Sequence, residues 1–278
     1  MRMKCSVLGF TICLLAAACS SDPEGGGAGG TGGSGGQGAG GEDGCETVAD
    51  PSVKDVTGRW AYLEVGSQLT KAPAFAEPFH TVIVSVLILD QTQTGEDVAI
   101  TGEYCDHYTQ DPDAAVHAVI PDAYRDALKP ISRAGTFGAD GRYHLAPLLE
   151  VVGAELADPT EDLPVEPDDP RVIDEDMDGQ PGVTIRLTGL VDGEVYVIER
   201  KSTELEGVAV SPERLEGLLT FSSEQSVVAS DPASIKNSTD ATQTLPDQDA
   251  CNSHFRMVRI AADADCASVI AQIETLFP

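Results

Sequence analysis

The chain has little positive charge and few aromatic residues. It carries 17 lysine and arginine residues against 46 aspartate and glutamate residues, and its formal net charge is −29. Phosphate backbones are bound by basic surfaces, so this balance excludes nucleic acid as a partner. The same excess of carboxylates favours divalent cations and basic proteins as partners.

The sequence also lacks the spacings that mark common catalytic and zinc sites. His107 lies near Glu103, Cys105 and Asp106, and His117 follows, but this matches neither a helical H-E-x-x-H nor a zinc finger. The other histidines are isolated: His80, His144 and His254. Residues 25–30 satisfy GxGxxG and residues 32–36 satisfy GxSxG, but neither match follows a strand or opens a helix. We therefore expect a protein that is not an enzyme, and keep a hydrolase with an unrecognised site as an alternative.

Residues 1–18 have the pattern of a signal peptide. Arg2 and Lys4 precede an apolar span, residues 5–15, which is too short to cross a membrane stably, and three alanines follow. Residues 14–19, Leu-Leu-Ala-Ala-Ala-Cys, resemble a bacterial lipobox, with Ala16 where that family usually has leucine. The resemblance implies that Cys19 is lipidated and becomes the mature N-terminus. The alternative is an ordinary secretory signal that is cleaved before Cys19.

Glycine dominates residues 25–44, and such a composition is typical of a flexible tether. We therefore predict a lipidated N-terminus and linker over residues 19–50 and one β-rich domain over residues 51–278. A lipid, a spacer and a folded domain are the layout of an exported bacterial envelope protein. The anchor would hold it in a lipid membrane, at the outer membrane or the cell surface.

Four cysteines remain when the signal peptide and the predicted lipid acceptor are set aside: Cys45, Cys105, Cys251 and Cys266. An even set in an exported protein predicts two disulfides, and three pairings are open. We favour Cys45–Cys105 with Cys251–Cys266, because these pairs close the shorter loops. Free buried thiols are the alternative.

Short β-branched and apolar runs alternate with turn residues through the domain. Residues 81–92 and 98–104 flank Gly95 and predict a hairpin, and residues 183–188 alternate strictly between apolar and polar. Two segments have helical patterns, residues 121–128 and 266–277. No β-α-β alternation is present, so we predict a mainly β fold: one antiparallel barrel or sandwich of about eight strands with two short helices. Residues 230–249 are expected to be irregular.

The first predicted strand opens with Gly58-Arg59-Trp60, which contains the only tryptophan of the chain. This tripeptide resembles the G-x-W that begins the first strand of lipocalins. The resemblance implies an eight-stranded barrel in which Trp60 plugs one end beneath a basic residue of the last strand, here Arg256 or Arg259. It also implies an apolar small ligand in the barrel. The alternative is a tryptophan that anchors the first strand of another β fold.

The strongest chemical signal is an acidic loop, residues 158–182. Within it Asp174, Asp176 and Asp178 stand at alternate positions before Gly179. Carboxylates in this spacing converge on one point when the chain reverses at the next residue, which glycine permits, and oxygen ligands suit calcium. Asp174, Asp176 and Asp178 would be ligands one, three and five, and the carbonyl of Gln180 would be ligand seven.

This loop resembles EF-hand calcium loops and the turns of thrombospondin type 3 repeats. It departs from both, since Gly182 and Ile185 stand at positions nine and twelve, where acids are usual, and Pro181 stands at position eight. The missing ligands would come from Asp168, Asp169, Thr184 or water, so we expect a solitary structural calcium site. The alternative is a solvated acidic turn.

Overall fold

The computed structural model describes Cys45 and residues 47–71, 78–110, 115–239 and 243–278. All of them lie in one compact unit, residues 42–278. The predicted signal peptide over residues 1–18, the predicted lipid acceptor Cys19 and the glycine-rich stretch up to residue 44 lie outside the described residues.

Within the described part of the chain, strands dominate and helices are short. The strands are β1 (Gly58–Lys71), β2 (Phe79–Thr94), β3 (Asp97–Gln110), β4 (Val116–Val119), β5 (Ile131–Phe137), β6 (Arg142–Val152), β7 (Val183–Gly189), β8 (Gly193–Ser211), β9 (Arg214–Asp231), β10 (Gln243–Pro246) and β11 (His254–Arg259). The helices are α1 (Asp122–Ala127), α2 (Ser234–Thr239), α3 (Cys266–Ala271) and α4 (Ile273–Leu276), with a 3-10 turn at Ala250–Asn252.

Eight of these strands close a ring in which every neighbouring pair is antiparallel. The order is β1, β2, β3, β5, β6, β8, β9 and β11, and β11 pairs back with β1. Neighbours in the ring are therefore successive ring strands along the chain, which is an up-and-down barrel. The short strands β4 and β7 extend the sheet beside β8, and β10 pairs with the end of β1. The predicted mainly β fold is confirmed, and of the two predicted architectures it is the barrel.

Side-chain alternation divides each strand between the interior and the outer face. In β2 residues 83–89 are all buried, because the outward-facing residues are covered as well as the inward-facing ones. The turn from β2 to β3 contains Gly95, whose φ of +67° suits the tight reversal between two long strands. The predicted hairpin of residues 81–92 and 98–104 is thus part of the barrel wall.

The two halves of the barrel interior differ in chemistry. We call the end at Trp60 the lower end; there Trp60, Leu87, Phe255 and Met257 are fully buried in one apolar cluster. Val56, from the segment before β1, packs into the same cluster and closes this end. Towards the other end, which we call the upper half, the inward positions become polar.

The C-terminal helices cover the outside of the barrel. Val269 of α3 packs against Ala61, Val86 and Ile88, which face outward from β1 and β2. The helix begins with a capping box in which the Asp265 side chain accepts from the backbone N–H of Ser268. This outer layer explains why both faces of β1 and β2 are apolar.

Two disulfides join the four cysteines, as predicted, but the favoured pairing was wrong. The bonds are Cys45–Cys251, with a Cα–Cα distance of 5.5 Å, and Cys105–Cys266, with 5.0 Å. Short loops are favoured by the entropy of the unfolded chain, whereas the native pairing follows from the fold. Cys105 lies where β3 pairs irregularly with β2, next to the start of α3, so it meets Cys266 rather than Cys45.

The helices also differ in number and place from the two expected. Residues 121–128 contain α1, and residues 266–277 contain α3 and α4, which are separated at Gln272. The stretch predicted to be irregular, residues 230–249, contains the end of β9, α2 and β10. Sequence patterns did not predict these elements, because each contributes only a few, mostly polar residues to this stretch and is stabilised by packing against the barrel.

The acidic segment after β6 lies against the outer face of β8 and β9. Leu163 of this segment packs with Tyr196, Ile198 and Val228. Arg200 also holds it, because its guanidinium donates to the carbonyl oxygens of Pro159 and Glu161. The acidic loop is therefore fixed to the barrel at its beginning, and its end leads into β7.

Candidate functional site

The structure brings together the three aspartates that the sequence singled out. One carboxylate oxygen from each of Asp174, Asp176 and Asp178 lies within 4.8 Å of the other two. Asp174 and Asp178 are exposed, whereas only 6% of Asp176 is exposed. We call this group the aspartate cluster.

Backbone conformation and hydrogen bonds hold the cluster in place. Met177 and Gly179 have φ angles of +56° and +90°, and these two left-handed residues turn the chain back on itself. The N–H groups of Asp178 and Gly179 donate to the two carboxylate oxygens of Asp174, at 3.1 and 2.9 Å. The reversal that Gly179 was expected to permit is thus present, and Met177 shares it.

Thr184, near the start of β7, ties the cluster to the barrel. Its backbone N–H donates to Asp176 Oδ2 at 2.9 Å, and its hydroxyl donates to Asp178 Oδ2. Thr184 is the second residue of β7, and the next residue, Ile185, is buried in a hydrophobic cluster. The loop is therefore held in position by the start of a strand that packs on the barrel.

Asp176 has one oxygen that the described residues leave without a partner. Its Oδ1 is buried and accepts no hydrogen bond from any described residue. Burial raises the pKa of Asp176, and the neighbouring charges of Asp178 and Asp174 raise it further. A buried carboxylate oxygen beside two like charges is costly unless a cation or a donor meets it.

The side chains of the other residues considered as ligands do not join the aspartate cluster. The Gln180 side chain is exposed, and the backbone N–H of Gln180 donates to Asp178 Oδ1 at 2.8 Å. Asp169 forms an ion pair with Arg171 at 2.7 Å and lies outside the aspartate cluster. Glu175 is also engaged elsewhere, because it accepts from Gly153 N at 2.5 Å and pairs with Lys129 at 2.7 Å.

The donor set fits a hard divalent cation. All the groups that converge are carboxylate oxygens, one from each of three residues, and carboxylate oxygens are the ligands that calcium prefers. Calcium needs six to eight oxygens, so further ligands, such as the Gln180 carbonyl and water, would have to complete its coordination. Soft thiolate or imidazole ligands, which zinc prefers, are absent from the cluster.

The lower end of the barrel is closed by Trp60. Arg259 lies over its indole ring, with the guanidinium carbon 4.4 Å from the ring centre, and the indole N–H donates to the Val56 carbonyl at 3.0 Å. Arg259 also donates to the carbonyl oxygens of Pro212 and Thr57. Arg256 points away from the interior and donates to the carbonyl of Pro278. Of the two arginines considered for this position, Arg259 is therefore the one that contacts Trp60.

The upper half of the barrel contains a buried polar group that sequence patterns did not reveal. Lys201 lies 3.2 Å from Glu64, 3.5 Å from Glu150 and 3.2 Å from the Tyr104 hydroxyl. Tyr62 donates to Glu64 at 2.6 Å, so the carboxylate has a second partner. Burial alone lowers the pKa of Lys201, but Glu64, Tyr104 and Glu150 outweigh it and raise that pKa well above its usual value.

Above Lys201 lies a small cavity, which we call the upper chamber. Its volume is about 20 Å³, and it is lined by Tyr104, His107, Tyr124, Glu150, Glu199 and Lys201, with Leu128 and Val152. Tyr124 of α1 covers it and donates to Glu199 at 2.5 Å, and Ser223 donates to the other oxygen of Glu199 at 2.8 Å. A space of this size holds about one water molecule.

His107 lies in the wall of the upper chamber as a neutral side chain. Burial and, after it, the charge of Lys201 lower the pKa of His107 from 6.5 to about 3. Its Nδ1 lies 3.1 Å from the hydroxyl of Ser85. His107 thus meets two acids, Glu150 and Glu199, around one cavity, whereas His117 pairs with Thr188 in the outer strands and does not line it.

The remaining histidines lie elsewhere. His144 on the outer face of β6 is 2.9 Å from Glu204 and close to Glu206, and the three form a second group with metal-ligating atoms. His80 lies 3.2 Å from Asp247. His254 is partly buried at the start of β11. None of these three histidines is among the described residues that line the upper chamber.

One sequence signal for the upper chamber was present. In β8 the inward positions Val195 and Val197 continue in the same phase to Glu199 and Lys201. Charged residues that continue an inward apolar phase predict a polar interior. Their partners Glu64, Tyr104 and Glu150 come from three other strands, so no local spacing could have joined them.

Comparison with known proteins gave no relative: no protein-family model, no curated protein and no solved structure matches this chain. Among the described residues, no helix has the length and apolar character needed to span a membrane.

Proposed function

We propose that the chain is a lipid-anchored protein of the bacterial cell envelope whose β-domain is stabilised by calcium, with a binding or structural role rather than a catalytic one. The anchor rests on the lipobox resemblance around Cys19, and the calcium site rests on the aspartate cluster. The single observation that carries the calcium proposal is the buried Oδ1 of Asp176, which has no partner among the described residues.

The position of the cluster supports a stabilising role. It joins the end of the acidic loop to the start of β7 through Thr184. Three carboxylates held within 4.8 Å repel one another, and a bound divalent cation turns that repulsion into attraction. Calcium would therefore fasten the loop to the barrel. This supports a structural calcium site that joins the loop to β7, which we call the calcium clasp, more than a calcium sensor. In the described part of the chain, no helix directly flanks the loop.

A lipocalin-like carrier is the second candidate, and one observation favours it. The barrel is an eight-stranded up-and-down ring whose first strand places Trp60 beneath Arg259, as the G-x-W resemblance implies. The size and the charge of the barrel interior argue against an apolar ligand there. Ligand pockets for small organic molecules measure roughly 300–1,000 Å³, whereas the upper chamber measures about 20 Å³ and is lined with charged groups.

Isothermal titration calorimetry with calcium chloride tests the proposal. We expect one site on the wild-type chain and no measurable site on Asp176→Asn, because the substitution removes the buried charge. Asp162→Asn is the matched control, since Asp162 is an exposed acid of the same loop and lies outside the cluster. Calcium binding by Asp176→Asn with the wild-type affinity would refute the site, and so would a wild type that binds no calcium.

A further inference from the structure

Three side chains on the outer face of the barrel form a second group of metal-ligating atoms, which we call the histidine–glutamate cluster. They are His144 of β6 and Glu204 and Glu206 of β8, and one ligand atom from each lies within 4.8 Å of the other two. They are separate from the aspartate cluster, and they do not line the upper chamber. The proposed calcium clasp and membrane anchor therefore make no use of them.

Strand register brings the histidine–glutamate cluster together. His144 lies directly opposite Glu206 in the antiparallel pairing of β6 and β8. Glu204 stands two residues before Glu206, so both glutamates project from the same face of the sheet as the histidine. The inward-facing neighbours Leu205 and Tyr143 are buried in the apolar cluster of the barrel. The backbone that carries the three ligands is therefore fixed by the packed barrel wall and is not part of a loop.

The two glutamates have little positive charge beside them. The one cationic partner of Glu204 among the described residues is His144, whose Nε2 lies 2.9 Å from Glu204 Oε1. Glu206 forms no ion pair within the described part of the chain. Arg142, the one arginine of β6, pairs with Asp140 instead. A divalent cation between the three side chains would balance both carboxylates.

The ligand types suit a transition-metal ion better than calcium. Zinc accepts an imidazole nitrogen together with carboxylate oxygens, whereas calcium takes oxygen ligands. The side chains of His144 and Glu204 are 40% and 35% exposed, and Glu206 is exposed, so an ion can reach them without any movement of the barrel. The ligand atoms around a four-coordinate zinc ion lie roughly 3.3 Å apart, and rotation of the glutamate side chains is enough to bring the three atoms to that spacing.

We propose that the histidine–glutamate cluster is a second metal site, for zinc or a divalent transition-metal ion of similar ligand preference. His144 Nε2 and one carboxylate oxygen from each of Glu204 and Glu206 would be the three protein ligands. The fourth position would face solvent and hold water, because three protein ligands do not complete a tetrahedral site. The site would link β6 to β8 on the outside of the barrel. The inference goes beyond the calcium proposal and does not depend on it.

Calorimetry with zinc chloride on the full-length chain tests this site. Excess calcium is present throughout, so that zinc does not fill the aspartate cluster. We expect the wild type to bind zinc under these conditions, and we expect His144→Asn to lose that site. A wild type that binds no zinc in excess calcium would overturn the proposal, and so would a His144→Asn variant that binds zinc as the wild type does.

His80→Asn is the matched control for the histidine. His80 is also partly exposed and also pairs with one carboxylate, that of Asp247 at 3.2 Å, but it belongs to no metal-ligating group of the described residues. His80→Asn should therefore bind zinc as the wild type does. Equal losses in His80→Asn and His144→Asn would contradict the assignment to the histidine–glutamate cluster.

Two further variants separate this site from the calcium clasp. Glu206→Gln should weaken zinc binding about tenfold or more, because it removes a charged ligand, and its fold should not suffer, because Glu206 is exposed and has no ion pair among the described residues. Asp176→Asn should keep the zinc site. Unchanged zinc affinity in Glu206→Gln, or loss of the zinc site in Asp176→Asn, would contradict the second metal site without affecting the calcium proposal.

Discussion

The aspartate cluster and the upper half of the barrel both gather carboxylates, but only one of them contains its own cation. In the barrel, Glu64 and Glu150 meet the ammonium of Lys201. In the loop, Asp174, Asp176 and Asp178 meet backbone N–H groups and the Thr184 hydroxyl, and no lysine or arginine of the described residues pairs with them.

The two regions therefore depend on their surroundings in different ways. We call Glu64, Glu150 and Lys201 the barrel network. Its carboxylates already have a cationic partner, so its contribution to stability should not change with calcium. The aspartate cluster has no lysine or arginine partner among the described residues, so it should gain stability only when an external cation supplies a positive charge. We therefore predict that the stability of the upper half of the barrel responds to side-chain deletion, whereas that of the aspartate cluster responds to calcium in the medium.

The largest effect should follow from deleting the internal cation. Lys201→Met leaves Glu64 and Glu150 buried without a positive partner, and removal of one member of a buried ion pair costs about 3–5 kcal/mol. Urea unfolding of the variant should show this loss with and without calcium. Arg142→Met is the control, since Arg142 and its partner Asp140 are exposed and such pairs contribute about 1 kcal/mol or less. Equal losses in the two variants would contradict the barrel network.

Acid should weaken the barrel through His107. Its folded pKa, about 3, lies below its ordinary value of 6.5, so the unfolded chain binds more protons between these two values. Stability is therefore full above about pH 6.5 and falls as the pH drops towards 3, by about 3 kcal/mol between pH 7 and pH 4. His107→Gln, which can still bond Ser85, should lose this part of the pH dependence in unfolding measurements. A variant with the same pH dependence as the wild type would show that His107 does not cause it.

The smallest effect should appear in the loop when calcium is removed. In a chelator, Asp176→Asn should raise the free energy of unfolding by about 1 kcal/mol, because it removes a buried charge that no described residue pairs and keeps an oxygen for the Thr184 N–H. Asp162→Asn should leave it unchanged. A destabilised Asp176→Asn in chelator would mean that the cluster does not suffer from repulsion.

Local patterns predicted the loop well. The alternate aspartates and Gly179 lie within six residues, so their convergence follows from the turn alone. Strand periodicity likewise predicted the mainly β fold and the β2–β3 hairpin. These features depend on neighbours in sequence, which a single chain displays directly.

Contacts between residues that are distant in the sequence were harder to predict from the sequence. The cysteine pairing was wrong because loop length says nothing about where Cys105 meets α3. The upper chamber was missed because Glu64, Tyr104, Glu150 and Lys201 come from four strands, and their contacts exist only once the ring is closed. Arg259 was one of two arginines considered for Trp60, and strand register decided between them.

The decisive measurement for the calcium site is the free energy of unfolding as a function of calcium concentration. A ligand that binds only the folded chain at a single site stabilises it by about 2.7 kcal/mol at a concentration one hundred times its Kd. We predict this gain for the wild type and for Lys201→Met, and none for Asp176→Asn. A wild type whose stability is independent of calcium, or an Asp176→Asn variant that gains as much as the wild type, would contradict the calcium clasp.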